Sequence, residues 1–196
     1  MKCLYCDKEI ERYSLRSLFL KEDELCDKCR SQLRPERKII EVSGVKIETF
    51  FEYSGMFKSL LLQYKECHDE ALKNVFLYDI EDYINIRYFD YQLLPVPSTG
   101  TKIEERGFDH LQGIFETVHL PLVKGLKMKK EMCQEGKNLV ERREIIDNYF
   151  YEGKHLKKVL VVDDVVTTGS TLKGVFRTIE PKTDKIKVLS LAYKKY

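Results

Sequence analysis

The stretch Val159-Leu160-Val161-Val162-Asp163-Asp164-Val165-Val166-Thr167-Thr168-Gly169-Ser170-Thr171 decides how this chain is read. Four apolar residues in a row predict a strand buried on both faces, as in the middle of a parallel sheet. The run ends in two carboxylates, at the carboxyl edge of the sheet where α/β folds bind ligands. Thr167, Thr168, Ser170 and Thr171 then set four hydroxyls around Gly169, where a helix from about Thr171 to Ile179 begins. Free backbone N–H groups and the positive helix end favour a phosphate at such a place. Asp163 and Asp164 would repel that phosphate. They suit sugar hydroxyls, or a Mg2+ that accompanies a pyrophosphate. A Walker A loop needs G-x4-G-K-[ST], which is absent, as is G-x-G-x-x-G. An ordinary βα turn is served by one capping Ser or Thr. Two adjacent acids followed by T-T-G-S-T exceed that need.

Working outward, strands and helices alternate. Tyr91 to Val96 reads as a short strand, and Pro97-Ser98-Thr99-Gly100 as the loop that ends it. Residues 101–109 are polar and weakly patterned, and Leu111, Ile114, Phe115 and Val118 resume a helix. Val45 to Tyr53 predicts a strand broken by Ser54-Gly55. Phe57, Leu60, Leu61 and Tyr64 then follow i, i+3, i+4, i+7 spacing on one helix face. A second helix is expected from Asp69 to Ile84. Leu122–Met128 reads as a strand and Met132–Arg143 is ambiguous. Pro181 breaks the last helix before a final strand from Ile186 to Tyr193. This alternation predicts an α/β fold with a mostly parallel sheet.

The cysteines add a second module. Cys3 and Cys6 form one C-x2-C and Cys26 and Cys29 another. Two such knuckles supply four thiolates to one tetrahedral zinc and leave no open position, so the predicted site is structural. The alternatives are chance spacing or a redox dithiol, but the latter belongs beside a βαβ pattern that this stretch lacks. Residues 1–35 are too few and too polar to build a core, so the metal would supply their folding free energy. Residues 30–40, with Pro35, read as the linker out of the module. Cys67 and Cys133 have no partner at ligand spacing and are expected to be small buried residues or inert thiols. His68 beside Cys67 makes no catalytic pair, because adjacent residues rarely face each other.

At 196 residues the chain has room for one domain and a small appendage. No apolar run approaches the roughly 20 residues of a bilayer span or the roughly 7 to 15 of a secretory signal. The expected compartment is therefore the reducing cytoplasm. The formal charge of +2 argues for no partner, but residues 151–196 carry 10 basic and 5 acidic groups. Either an anionic ligand or a solvated lysine face accounts for that gathering.

The Val159–Thr171 stretch resembles the 5-phosphoribosyl-1-pyrophosphate (PRPP) motif of type I phosphoribosyltransferases. With the C-x2-C pairs, the LLPVP strand and the ERGFDH segment after it, the whole chain resembles the ComF family. Those are competence-associated DNA-uptake proteins with a zinc module on a phosphoribosyltransferase domain. The resemblance implies a zinc module over residues 1–40 and a phosphoribosyltransferase-like domain over 41–196. It places Asp163 and Asp164 on the ribose hydroxyls, with Val165 and Val166 completing the motif. Thr167, Thr168, Gly169, Ser170 and Thr171 become the 5′-phosphate loop, and Pro97, Ser98 and Thr99 the pyrophosphate loop. Residues 100–110 become a mobile loop bringing Lys102 and Arg106 over the diphosphate, with Mg2+ arriving alongside PRPP. Ile145 stands where the family often has an Asn, and no segment reads as an acceptor pocket.

Three functions follow from the resemblance. One is a DNA-uptake factor that binds single-stranded DNA and works with a helicase-like partner at the inner face of the membrane. Lys124, Lys127, Lys129, Lys130, Lys182, Lys185, Lys187, Lys194 and Lys195, among 12 Tyr and 10 Phe, offer the charge and aromatics for it. Another is a transferase moving ribose 5-phosphate from PRPP to a nitrogen acceptor. The third is a module that senses PRPP and signals through the zinc site.

Overall fold

The protein is described by a computed structural model covering residues 1–10, 22–128 and 148–195. Val159, Leu160, Val161 and Val162 are all fully buried, as their unbroken apolar run requires. They lie in β6 (Leu156–Val166), which extends past them at both ends. Its neighbours are β3 (Gln92–Pro95) on one side and β7 (Thr183–Tyr193) on the other, both parallel to it. β2 (Val45–Glu52) runs parallel to β7, and β1 (Lys38–Val42) closes that edge antiparallel to β2. The sheet order is therefore β1-β2-β7-β6-β3, an α/β sheet that is parallel except at one edge.

Helices cover the sheet by the stripes legible in the sequence. In α2 (Gly55–Glu66), Phe57, Leu60, Leu61 and Tyr64 are all buried. In the helix after β6, Leu172, Val175 and Ile179 take the inner face. Four expectations need correction. Residues 30–40 are not only a linker: α1 (Asp27–Arg30) precedes them and β1 begins within them, because the exposed end of β2 would otherwise be an open edge. The single helix over 69–84 is instead a 3-10 turn, Glu70–Val75, and a separate helix α3, Glu81–Arg87. Val75, Phe76 and Leu77 are buried in succession, and one straight helix cannot turn three consecutive residues inward. Only Leu126–Met128 of the 122–128 strand is regular (β4), paired antiparallel with β5 (Tyr149–Tyr151). Gly125, at φ 107°, breaks the run before it.

The fourth correction concerns residues 100–110. Gly100–Arg106 is helix α4 and not a loop. The Thr99 side chain accepts from Lys102 N at its start, and Gly107 ends it in the left-handed region at φ 84°. α5 (His110–Ile114) follows, with the Asp109 carboxylate accepting from Leu111 N and Gln112 N. The polar, weakly patterned composition of the stretch hid the helix. Met132–Arg143, Cys133, Lys129, Lys130 and the Ile145 position lie outside the described residues.

Candidate functional site

The carboxyl ends of β6 and β3 open onto a cavity of about 280 Å3. Asp163, Asp164 and Val165 line it from β6, and Pro97, Ser98 and Thr99 from the turn after β3. Thr171 contributes from the first turn of α6 (Ser170–Ile179), and Lys102 and Arg106 from α4. Segments about 60 residues apart in the chain therefore meet because β3 and β6 are adjacent in the sheet. Thr167, Thr168 and Gly169 form the bend between β6 and α6, and with Ser170, the first residue of α6, they lie next to the cavity and not among its walls. The Val166 side chain is buried in the core and offers a ligand only its backbone.

That bend leads into a helix start with no side-chain cap. Gly169 takes φ 72° as the residue before α6, and no side chain caps the helix, so its first N–H groups are open to a ligand. Thr168 and Ser170 hydroxyls are 3.0 Å apart. The β1–β2 turn braces the bend from behind: Ser43 Oγ donates to Thr168 O at 3.1 Å. A Cβ on Gly169 would meet Val42 Cγ1 at 2.6 Å, so both the close approach and the positive φ demand glycine.

Two residues that no motif announces complete the site. Lys65, in the last turn of α2, places Nζ 2.5 Å from Asp164 Oδ2. His110 Nε2 lies 3.0 Å from the same oxygen, and Val165 N donates to Oδ1 at 2.7 Å. His110 Nδ1 faces Ser98 Oγ at 3.0 Å and Arg106 Nη1 at 3.2 Å. Arginine can only donate, so Nδ1 accepts and Nε2–H is left to donate to Asp164. Arg106 also donates from Nε to the Lys65 carbonyl at 2.9 Å. His110 sits in the quoted ERGFDH segment, but a lone histidine carries no spacing signal. Lys65 reads as an ordinary basic residue at a helix end.

The acid pair divides its labour. Burial opposes charge on Asp164, but His110 and Lys65 outweigh it and hold its carboxyl well below the usual range. Burial and the neighbouring Asp164 charge push Asp163 up to about 8, so it is largely protonated at neutral pH. The Tyr149 phenol, also on the cavity wall, is pushed up to about 12 by burial and by Asp163. Burial, then Lys65 and Arg106, lower the Lys102 ammonium. The other buried acid, Glu48, is satisfied by Arg37 Nε and the hydroxyls of Tyr83 and Tyr88 within 2.8 Å. It is a structural group in the core.

In the N-terminal module the four predicted ligands converge. The sulfurs of Cys3, Cys6, Cys26 and Cys29 all lie within 4.8 Å of one another, with Cys6 and Cys26 at 3.7 Å. A tetrahedral zinc with bonds of roughly 2.3 Å needs sulfurs roughly 3.8 Å apart, so the donor set fits the ion. Burial resists charge on Cys3, but backbone hydrogen bonds at Cys26, Cys6 and Tyr5 bring it down to about 6. Burial and the other thiols push Cys29 far up. A divalent cation relieves that conflict by binding all four as thiolates. Leu4 N donates to Glu24 O, joining the two knuckles. Arg30 grips Asp23 through two hydrogen bonds, at 2.6 and 2.7 Å, and reaches Val75 O at 3.1 Å, fixing the module to the body. Cys67, expected to be buried or inert, is exposed, and neither it nor His68 lines the cavity.

No family model matches the chain. Over 97% of its length it is 26% identical to the competence protein ComFC of Streptococcus pneumoniae (strain ATCC BAA-255 / R6), of which the match covers 99%. Among solved structures, a hypoxanthine phosphoribosyltransferase from Staphylococcus aureus matches with a TM-score of 0.41 and 12% identity. The match covers 63% of this chain and 64% of that one, a little under two thirds of the enzyme's length. The hypoxanthine phosphoribosyltransferase of Trypanosoma cruzi matches with a TM-score of 0.34 and 14% identity, over 83% of this chain and 71% of that one. Among the described residues no helix is long and apolar enough to cross a membrane.

Proposed function

We propose that this chain, a homologue of the competence protein ComFC along nearly its whole length, is a DNA-uptake protein that binds PRPP in the β3–β6 crevice and single-stranded DNA on its surface. The observation that carries the PRPP half is the cavity itself. An acid pair, an uncapped helix start and three cations converge there from four separate segments. Asp163 and Asp164 would take the ribose hydroxyls, the Thr167–Thr171 bend the 5′-phosphate, and the 97–99 turn with Lys102 the diphosphate. Mg2+ would enter with the diphosphate and screen its charge beside the acids. Residues 1–40 would serve as the zinc module and 41–196 as the phosphoribosyltransferase-like body.

Calorimetric titration of the zinc-loaded protein with PRPP and Mg2+ tests this half. Binding is expected, and the Asp163→Asn, Asp164→Asn double variant is expected to lose it. A folded wild-type protein that takes up no PRPP would end the reading.

Support for the DNA half comes from the opposite edge of the sheet. Lys158 and Lys185 are register neighbours on β6 and β7, with exposed Lys157, Lys182 and Lys187 around them. Phe89, 76% exposed, adjoins Asp90, which pairs with Lys158. Charge with a free aromatic face is what single-strand binding uses. A fluorescent oligo-dT should bind with affinity that falls at least tenfold between 50 and 200 mM salt, through counterion release. A flat salt response would exclude a phosphate-backbone interface. A helicase-like partner at the inner membrane face belongs to the same proposal.

One observation favours the transferase alternative. A second cavity of about 530 Å3 shares the 96–99 turn and Met128 with the first, and apolar Ile103, Val123 and Leu126 help form it. It would give a nitrogen acceptor a place next to the ribose.

A further inference from the structure

Resting on the PRPP reading, we propose that Lys65 is the residue that recognises the diphosphate, and that it does so by leaving Asp164. The donors around Asp164 leave little of it open to a ligand. Its Oδ1 accepts from Val165 N, and its Oδ2 is shared by Lys65 Nζ and His110 Nε2. That leaves one acceptor position, on Oδ1, so a ribose diol that brings both its hydroxyls to this carboxylate displaces one of the three donors. The Val165 N–H is backbone and cannot move. His110 is buried and held at both ring nitrogens, by Asp164 on one side and by Ser98 and Arg106 on the other. Lys65 is the member free to leave. Its ammonium sits on a flexible four-carbon stem, and its side chain is 23% exposed against 8% for His110.

Its destination follows from the charge in the cavity. Lys65, Lys102 and Arg106 bring three positive charges, against one fully ionised carboxylate and one that burial keeps largely protonated. Among the described residues no carboxylate lies within ion-pair distance of Lys102. The excess positive charge calls for a multiply charged anion, and once displaced from Asp164, Lys65 adds to that demand beside Lys102. Arg106 is differently placed. Its side chain is 5% exposed, its Nε and one Nη1 donor are used on the Lys65 carbonyl and His110, and its Nη2 faces Glu66 at 3.8 Å. It is a positioning residue that holds the end of α2 and the His110 ring. The diphosphate contact expected of it passes to Lys65.

Three probes separate the roles: PRPP with Mg2+, pyrophosphate with Mg2+, and ribose 5-phosphate, each titrated calorimetrically. Lys65→Gln keeps a donor for Asp164 and removes the charge. It is expected to weaken PRPP and pyrophosphate at least tenfold and to leave ribose 5-phosphate within about twofold. Lys65→Met, which also frees Asp164, should show the same loss with ribose 5-phosphate equal or tighter. Equal weakening of all three probes in both variants would make Lys65 a mere support for Asp164 and overturn the inference. Unchanged pyrophosphate affinity would overturn it too. A wild-type protein that binds none of the three removes the PRPP reading itself, a result distinct from either.

Discussion

Removing zinc with a chelator is expected to unfold the N-terminal module and lower the melting temperature of the whole protein by 10 °C or more. The cluster has four convergent sulfurs, and the first 35 residues are too few and too polar to build a core of their own. A structural zinc in such a small module is worth roughly 10 to 16 kcal/mol of apparent binding energy at neutral pH. Only part of that reaches the body, because the module can unfold alone. The coupling is physical nonetheless: Cys3, Leu25, Cys29 and Leu33 are buried in the same apolar cluster as the sheet. Arg30 adds its bonds to Asp23 and Val75 O. Losing a few kcal/mol shifts the midpoint by roughly 2 to 4 °C for each, in a chain of this size. Mass spectrometry should count one zinc per chain, and Cys29→Ser should lose it. A melting temperature indifferent to the chelator would mean that the knuckles hold without metal.

Asp163→Asn is expected to abolish PRPP binding and, at pH 8 to 9, to make the protein more stable than the wild type. The Asp163 carboxyl titrates at about 8 in the fold and near 3.9 when unfolded. Its folded value is raised, so the folded state holds a proton that the unfolded chain has released. Stability from this group is therefore fully present below about pH 4 and lost as pH rises towards 8. At about 1.4 kcal/mol per unit the cost above pH 8 is on the order of a few kcal/mol. Asparagine keeps Oδ1 as acceptor for Asp164 N, a 3.0 Å bond, and cannot ionise, so the variant escapes the loss. Denaturant midpoints measured from pH 5 to 9 should converge at the acid end and separate at the alkaline end. Curves that stay parallel would show that Asp163 titrates normally. Asp164 behaves oppositely: its lowered value means stability lost only under acid, as pH falls below about 4.

Local spacing by itself determined a large part of this protein. Each C-x2-C knuckle brings its own two sulfurs together, because one tight turn fixes the pair. An apolar run of four residues, then two acids and T-T-G-S-T, set β6, the bend and α6 in order. Periodicity gave the buried face of α2. These are features in which every determining residue lies within one or two turns of the next. What depends on residues distant in the chain was not legible. β1 is a strand only because β2 offers it an edge. Lys65 and His110 reach Asp164 across 99 and 54 residues because the sheet order puts β3 beside β6 and packs α2 and α5 over their ends. The acid pair could be read from the sequence, but which of the two carries the charge could not. That is set by which carboxylate the lysine and the histidine meet, and only the packed structure brings them to Asp164.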